Sequence, residues 1–109
     1  MKLVVNVVRV TVGKVDMIEV ELRFFATFRE LFGCPQKVIE VTEDSDIRGL
    51  LDIICDSGER RREVFGMNNS VKRYVKILLN GQDVQFLKGT ETKLAQGDVV
   101  SMFPPVGGG

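Results

Sequence analysis

The residues with most scope for chemistry are the last seven, Phe103-Pro104-Pro105-Val106-Gly107-Gly108-Gly109. Proline fixes φ and offers no backbone N–H, so a strand reaching Pro104-Pro105 stops pairing there and releases the chain. The six residues from Pro104 onward can extend about 20 Å at most, enough to enter another protein's active site. Gly107, Gly108 and Gly109 have no Cβ and can thread a channel that a branched side chain would block. A carboxylate is a poor electrophile, and the tail holds no acid, base or metal ligand to change that, so activation has to come from elsewhere. Adenylation with ATP by a separate enzyme would make the Gly109 carboxylate an acyl donor. Attack by a sulfur nucleophile then leaves a thiocarboxylate, and attack by a lysine amine leaves an isopeptide bond. The tail residues support both outcomes. A bare run of terminal glycines is more simply a frayed end, but here it follows FPPV and a complete pattern of folding elements.

Those elements are read from periodicity. Residues 1–16 form an N-terminal extension whose valines, from Val4 to Val12, suggest an extra edge strand or an unstructured run. From Ile18 the pattern sharpens: Ile18, Val20, Leu22 and Phe24 alternate with Glu19, Glu21 and Arg23, as in a half-buried strand. Thr27 and Glu30 read as a capping box opening a very short helix, which Gly33 and Pro35 stop. Lys37–Val41 is a second strand. Asp44 or Ser45 caps a longer helix, with Ile47, Leu50, Leu51, Ile54 and Cys55 on one stripe and an end near Gly58. Glu59–Glu63 reads as a charged turn and Met67–Ser70 as a loop. Tyr74–Leu79, the Asn80-Gly81 turn and a return at Val84–Phe86 form a hairpin, and Val99–Phe103 is the last strand. This order predicts an α+β fold of the β-grasp type, a mixed sheet wrapped around one main helix, spanning 17–103, with 104–109 as a tail. A ferredoxin-like sandwich would need a second long helix between Val84 and Val99, where Gly89, Thr90, Thr92 and Gly97 disfavour one.

Three segments carry a resemblance: LRFFATFRELFG at Leu22–Gly33, LLNG at Leu78–Gly81 and GDVVSMFPPVGGG at Gly97–Gly109. From Ile18 to Gly109 the chain resembles the ubiquitin-like sulfur carriers, namely the molybdopterin synthase small subunit (MoaD), the thiamine sulfur carrier (ThiS) and the small archaeal modifier proteins. The resemblance implies that Gly109, preceded by Gly108, is adenylated by an E1-like adenylyltransferase and then carries sulfur as a thiocarboxylate. In one branch the tail enters a molybdopterin synthase large subunit for molybdenum cofactor biosynthesis. In the other it is joined to lysines of target proteins. It also implies a carrier without its own active site, no bound cofactor, and ATP consumed by the activating enzyme.

Strand parity places Phe25 and Phe103 on the outward face, with Leu78 extending the patch. Together with Pro104, Pro105, Val106 and Gly107 these are the expected partner-binding residues. In relatives this face meets the activating enzyme and the synthase partner, and one family contact position is the polar Asp83 here.

Other residues have simpler explanations. Cys34 lacks any histidine in the chain to activate it, and Cys55 lies on the apolar stripe. Arg60-Arg61-Arg62 could hold phosphate but is flanked by Glu59 and Glu63, and Asp44 with Asp46 is more simply helix capping than a metal pair, so no metal site is expected. A chain of 109 residues with 44% hydrophobic and 28% charged residues suits one globular domain. Fifteen basic and fifteen acidic residues cancel, which disfavours nucleic acid as a partner. The two cysteines are too few for a disulfide framework, and the apolar stretch from Leu3 to Val12 is too short to span a bilayer. The expectation is a cytoplasmic protein, away from membranes and monomeric when free.

Overall fold

The computed structural model describes residues 16–105. The N-terminal extension, expected as an extra edge strand or an unstructured run, and the terminal residues 106–109 lie outside them. Among the described residues, five strands form one mixed sheet in the order β2-β1-β5-β3-β4: β1 is Met17–Phe24, β2 Gln36–Thr42, β3 Lys76–Leu79, β4 Gln82–Asp83 and β5 Val99–Phe103. The helices are α1 (Thr27–Phe32), α2 (Ile47–Ile54) and α3 (Gly58–Val64), with short 3-10 turns at Val84–Phe86 and Gly89–Glu91. This is the β-grasp arrangement that the periodicity predicts. β1 runs antiparallel to β2 and parallel to β5, while β3 runs antiparallel to β5.

Alternation divides the sheet. Val20, Leu22, Phe24, Ile77, Leu79, Val100 and Met102 point inward, where the α2 stripe of Ile47, Leu50, Leu51 and Ile54 covers them, all buried. Phe24 stacks on Phe32 at 4.5 Å, and Phe28 meets Phe32 edge-on at 5.8 Å, so α1 closes one end of the core.

Local signals misplace several boundaries. Thr27 does not cap α1; it is the first helical residue, and Ala26 occupies the cap position at φ 53° without a side-chain hydrogen bond. Burial of Phe28 sets the helix start, and the Phe25 carbonyl takes the Phe28 N–H at 3.1 Å. The cap of α2 is Asp46, accepting the Gly49 N–H at 2.9 Å, rather than Asp44 or Ser45. Those two residues instead bind the Thr42 hydroxyl at 2.9 and 2.8 Å. The bridge between Asp46 and Lys93, with Ile47 N–H on the Thr92 carbonyl, fixes where the helix begins. α2 stops at Ile54, short of Gly58, and the expected charged turn at Glu59–Glu63 is helix α3, capped by Ser57. Two of its arginines are engaged: Arg60 reaches Asp56 at 2.8 Å and the Leu31 carbonyl at 3.0 Å, and Arg61 lies 4.5 Å from the Phe65 ring, the same distance as Arg48.

The hairpin turn forms at Asn80 (φ 52°) and Gly81 (φ 86°), the pair of positive φ values that this sequence favours. The first strand starts at Lys76 rather than Tyr74, and the return is Gln82–Asp83 rather than Val84–Phe86. Val84 must turn into the core, and the Asp83 carboxylate accepts the Gln85 N–H at 3.0 Å, which converts the next residues to a 3-10 turn.

Candidate functional site

β5 delivers the tail. It is the central strand, held on one side by β1 and on the other by β3, and it ends at Phe103 opposite Lys76. Pro104 and Pro105 are half-buried and outside any strand, as expected where backbone donors are lost. Val106, Gly107, Gly108 and Gly109 lie beyond the described residues.

The two outward aromatics meet at this exit. Phe25 and Phe103 stack with ring centroids 4.3 Å apart and planes 8° from parallel, each ring half-buried against the other. They are brought together because β1 and β5 are parallel neighbours, with Phe25 N–H on the Met102 carbonyl at 3.2 Å. The Arg29 guanidinium lies 5.7 Å from the Phe25 ring and donates from Nε to the Phe24 carbonyl at 3.0 Å, which tethers the turn after β1. Ala26 follows Phe25 with a positive φ that alanine seldom adopts. Such backbone persists only where its surroundings hold it. Here the Arg29 N–H to Ala26 carbonyl bond, at 3.0 Å, does so.

Leu78 lies one row away, directly across from Ser101 and Asp83, and is half-buried. Lys76 occupies the row of Phe103 and reaches Asp83 at 3.0 Å. The Gln85 backbone N–H and the Lys76 ammonium hold the Asp83 carboxyl below the usual carboxylate range, against a lesser opposing effect of burial. The patch is therefore an aromatic pair plus one leucine, bordered by a charge pair. Sequence reasoning did not foresee that pair as a unit. Its signal was present, because a two-residue Asn-Gly turn sets Asp83 across from Leu78 and diagonal to Lys76.

The two cysteines stand apart from this face. Cys34 is half-buried after α1, and Cys55 is buried at the end of α2, where desolvation pushes its thiol up to about 11. Among the described residues no helix is long and apolar enough to cross a membrane.

With this geometry in place, comparison with known proteins identifies the group. The ThiS family model matches residues 22–109, from the core of β1 through the final glycine. The chain belongs to the ThiS family. Small archaeal modifier protein 3 of Haloferax volcanii is 40% identical over 91 residues, covering 84% of this chain and 99% of that protein. The crystal structure of SAMP1 from the same organism superposes with a TM-score of 0.72 at 26% identity, over 84% of this chain and 99% of that one. A Pyrococcus furiosus structure assigned to molybdopterin converting factor, subunit 1, gives 0.65 at 34% identity, over 82% and 99%. As a ThiS-family member the chain is a ubiquitin-like protein of the group that includes sulfur carriers and small modifiers, which are not generally enzymes themselves.

Proposed function

We propose that this protein is a sulfur carrier whose Gly109 carboxylate is adenylated by an E1-like enzyme and converted to a thiocarboxylate, for use in molybdopterin biosynthesis. The observation that supports it most is the release of the chain by Pro104-Pro105 directly beside the Phe25–Phe103 stack, in a family match that runs to Gly109. Docking on the aromatic pair sets the partner where the tail begins, so one surface selects the protein and the other enters its active site.

The chemistry balances without any group from this chain except its terminus. The Gly109 carboxylate attacks the α-phosphate of ATP, pyrophosphate leaves, and an acyl-adenylate forms. A sulfide-equivalent nucleophile then attacks the carbonyl carbon and AMP leaves, so that the terminus becomes a thiocarboxylate. Phe25, Leu78, Phe103, Pro104, Pro105, Val106 and Gly107 serve binding and threading. ATP is bound by the activating enzyme, and a molybdopterin synthase large subunit is the proposed recipient of sulfur. The reading includes a cytoplasmic location, where ATP is available to the activating enzyme.

The identity with a small archaeal modifier protein favours a second reading, in which a lysine amine replaces sulfide and the product is an isopeptide. Intact mass of the protein purified from its native cell separates the two. Replacement of one terminal oxygen by sulfur supports the carrier, and Gly-Gly remnants on other proteins' lysines support the modifier. Neither product in cells expressing the activating enzyme would refute both.

A further inference from the structure

A second surface lies on the opposite side of β3 from the tail strand. It is a trough of about 550 Å³, one wall of which is the continuous run Val71–Ile77 and the other Asp83–Gln85 with Gly89 and Thr90. That volume lies within the range of natural binding pockets. Its floor is apolar, with Val75, Ile77 and Val84 buried. Its rim is basic: Lys72, Arg73 and Lys76 line it against the single carboxylate of Asp83, which Lys76 already engages at 3.0 Å. Among the described residues, Lys72 and Arg73 have no carboxylate partner. Arg73 instead lies 5.4 Å from the ring of Tyr74, which is 62% exposed.

Among the described residues the sheet edge is open here as well. β4 pairs only with Leu78 and Leu79, so Lys76 and Ile77 have no β4 residue opposite them. An open strand edge beside an apolar floor accepts an extended segment, whose alternate side chains enter the trough while the others stay at the rim. The unpaired rim cations select a negative one.

We propose that this trough is a docking site for an extended acidic peptide of a partner protein, paired at the Lys76–Ile77 edge and running past the Lys72–Val75 turn, with its carboxylates on Lys72 and Arg73. The partner would sit one strand away from the tail exit, since Lys76 is also the residue across from Phe103. This deepens the carrier assignment by adding a second contact for a protein that handles the tail. Its test needs no activating enzyme, so it can fail while that assignment stands.

The experiment is titration of the 15N-labelled full chain with an eight-residue peptide of alternating valine and glutamate, and with a valine–lysine control. The expected result is amide shifts confined to residues 71–77, 83–85, 89 and 90 with the acidic peptide only. Affinity should weaken about tenfold in the double variant Lys72→Glu, Arg73→Glu. The reversal removes no ion pair of the described fold, and unchanged shifts elsewhere would verify folding. Charge neutralisation by Lys72→Gln, Arg73→Gln gives a milder loss that reads the same cations. Equal binding of the lysine peptide, or shifts that avoid the trough, would overturn the proposal. So would matching shifts on deletion of residues 107–109 from the free chain, because the chain's own tail would then be the occupant.

Discussion

Phe103 joins a role in the fold to a proposed one in partner binding. Its stack on Phe25 is of the kind worth about 0.5–1.5 kcal/mol beyond area burial. With the burial of a half-buried ring added to the stack, Phe103→Ala should cost the domain about 2 kcal/mol. It should separately weaken binding to the activating enzyme, since a central aromatic anchor lost from an interface costs about 2 kcal/mol or more. Chemical denaturation and titration with the activating enzyme measure the two, and unchanged affinity of the folded variant would make the ring structural only. Asp83 carries a pH signature. Its carboxyl is depressed in the folded state, first by the Gln85 N–H and then by Lys76, so its contribution is present above the ordinary carboxylate pKa. That contribution is lost as pH falls through the lower folded value. Asp83→Asn should flatten this part of the stability profile, read as Tm against pH in the acid range. The cysteines divide by burial: with the Cys55 thiol pushed up to about 11 and shielded, thiol reagents should label the native protein at Cys34 alone and both residues after unfolding.

At the scale of elements, the first two strands and the last were legible, while the helix boundaries and the return strand of the hairpin were not. A period of two needs only alternation, and Ile18 to Phe24 states it without ambiguity, as do Ile39 and Val41. Caps depend on which of several adjacent polar residues the tertiary structure presents. Asp44, Ser45 and Asp46 are all competent, and the bridge to Lys93 selects the last. Asp46→Ala should therefore cost about 1 kcal/mol, and Asp44→Ala a few tenths, on the ordinary scale of capping effects. α3 was hidden because three arginines between two glutamates look like a solvated turn, whereas Ser57 caps them and the buried Val64 anchors them. The trough beside β3 was hidden for another reason: its walls come from residues 71–77 and from 83–85 with 89 and 90, and only the fold sets them side by side. Deep in the core, Leu50→Ala on α2 removes a side chain with no exposure. It should lower stability by about 2–5 kcal/mol.

Across the whole molecule, the sheet order 2-1-5-3-4 places the last strand in the centre, so the chain leaves from the best-supported strand of the sheet. The fold was readable in sequence, and GDVVSMFPPVGGG holds the last strand and its stop in one segment; residues 106–109 lie outside the described residues. The aromatic pair was readable only as two outward positions; that each ring half-buries the other follows from the parallel pairing of β1 with β5, which no local pattern reveals. The central claim is that reactivity resides at Gly109 and is supplied by another protein. Incubation with ATP and the cognate E1-like enzyme, followed by intact-mass spectrometry, tests it most directly. The account predicts an acyl-adenylate on the full chain, none on the chain lacking Gly109, and the same Tm for both proteins. An adenylate on the shortened chain, or none on the full one, would contradict it.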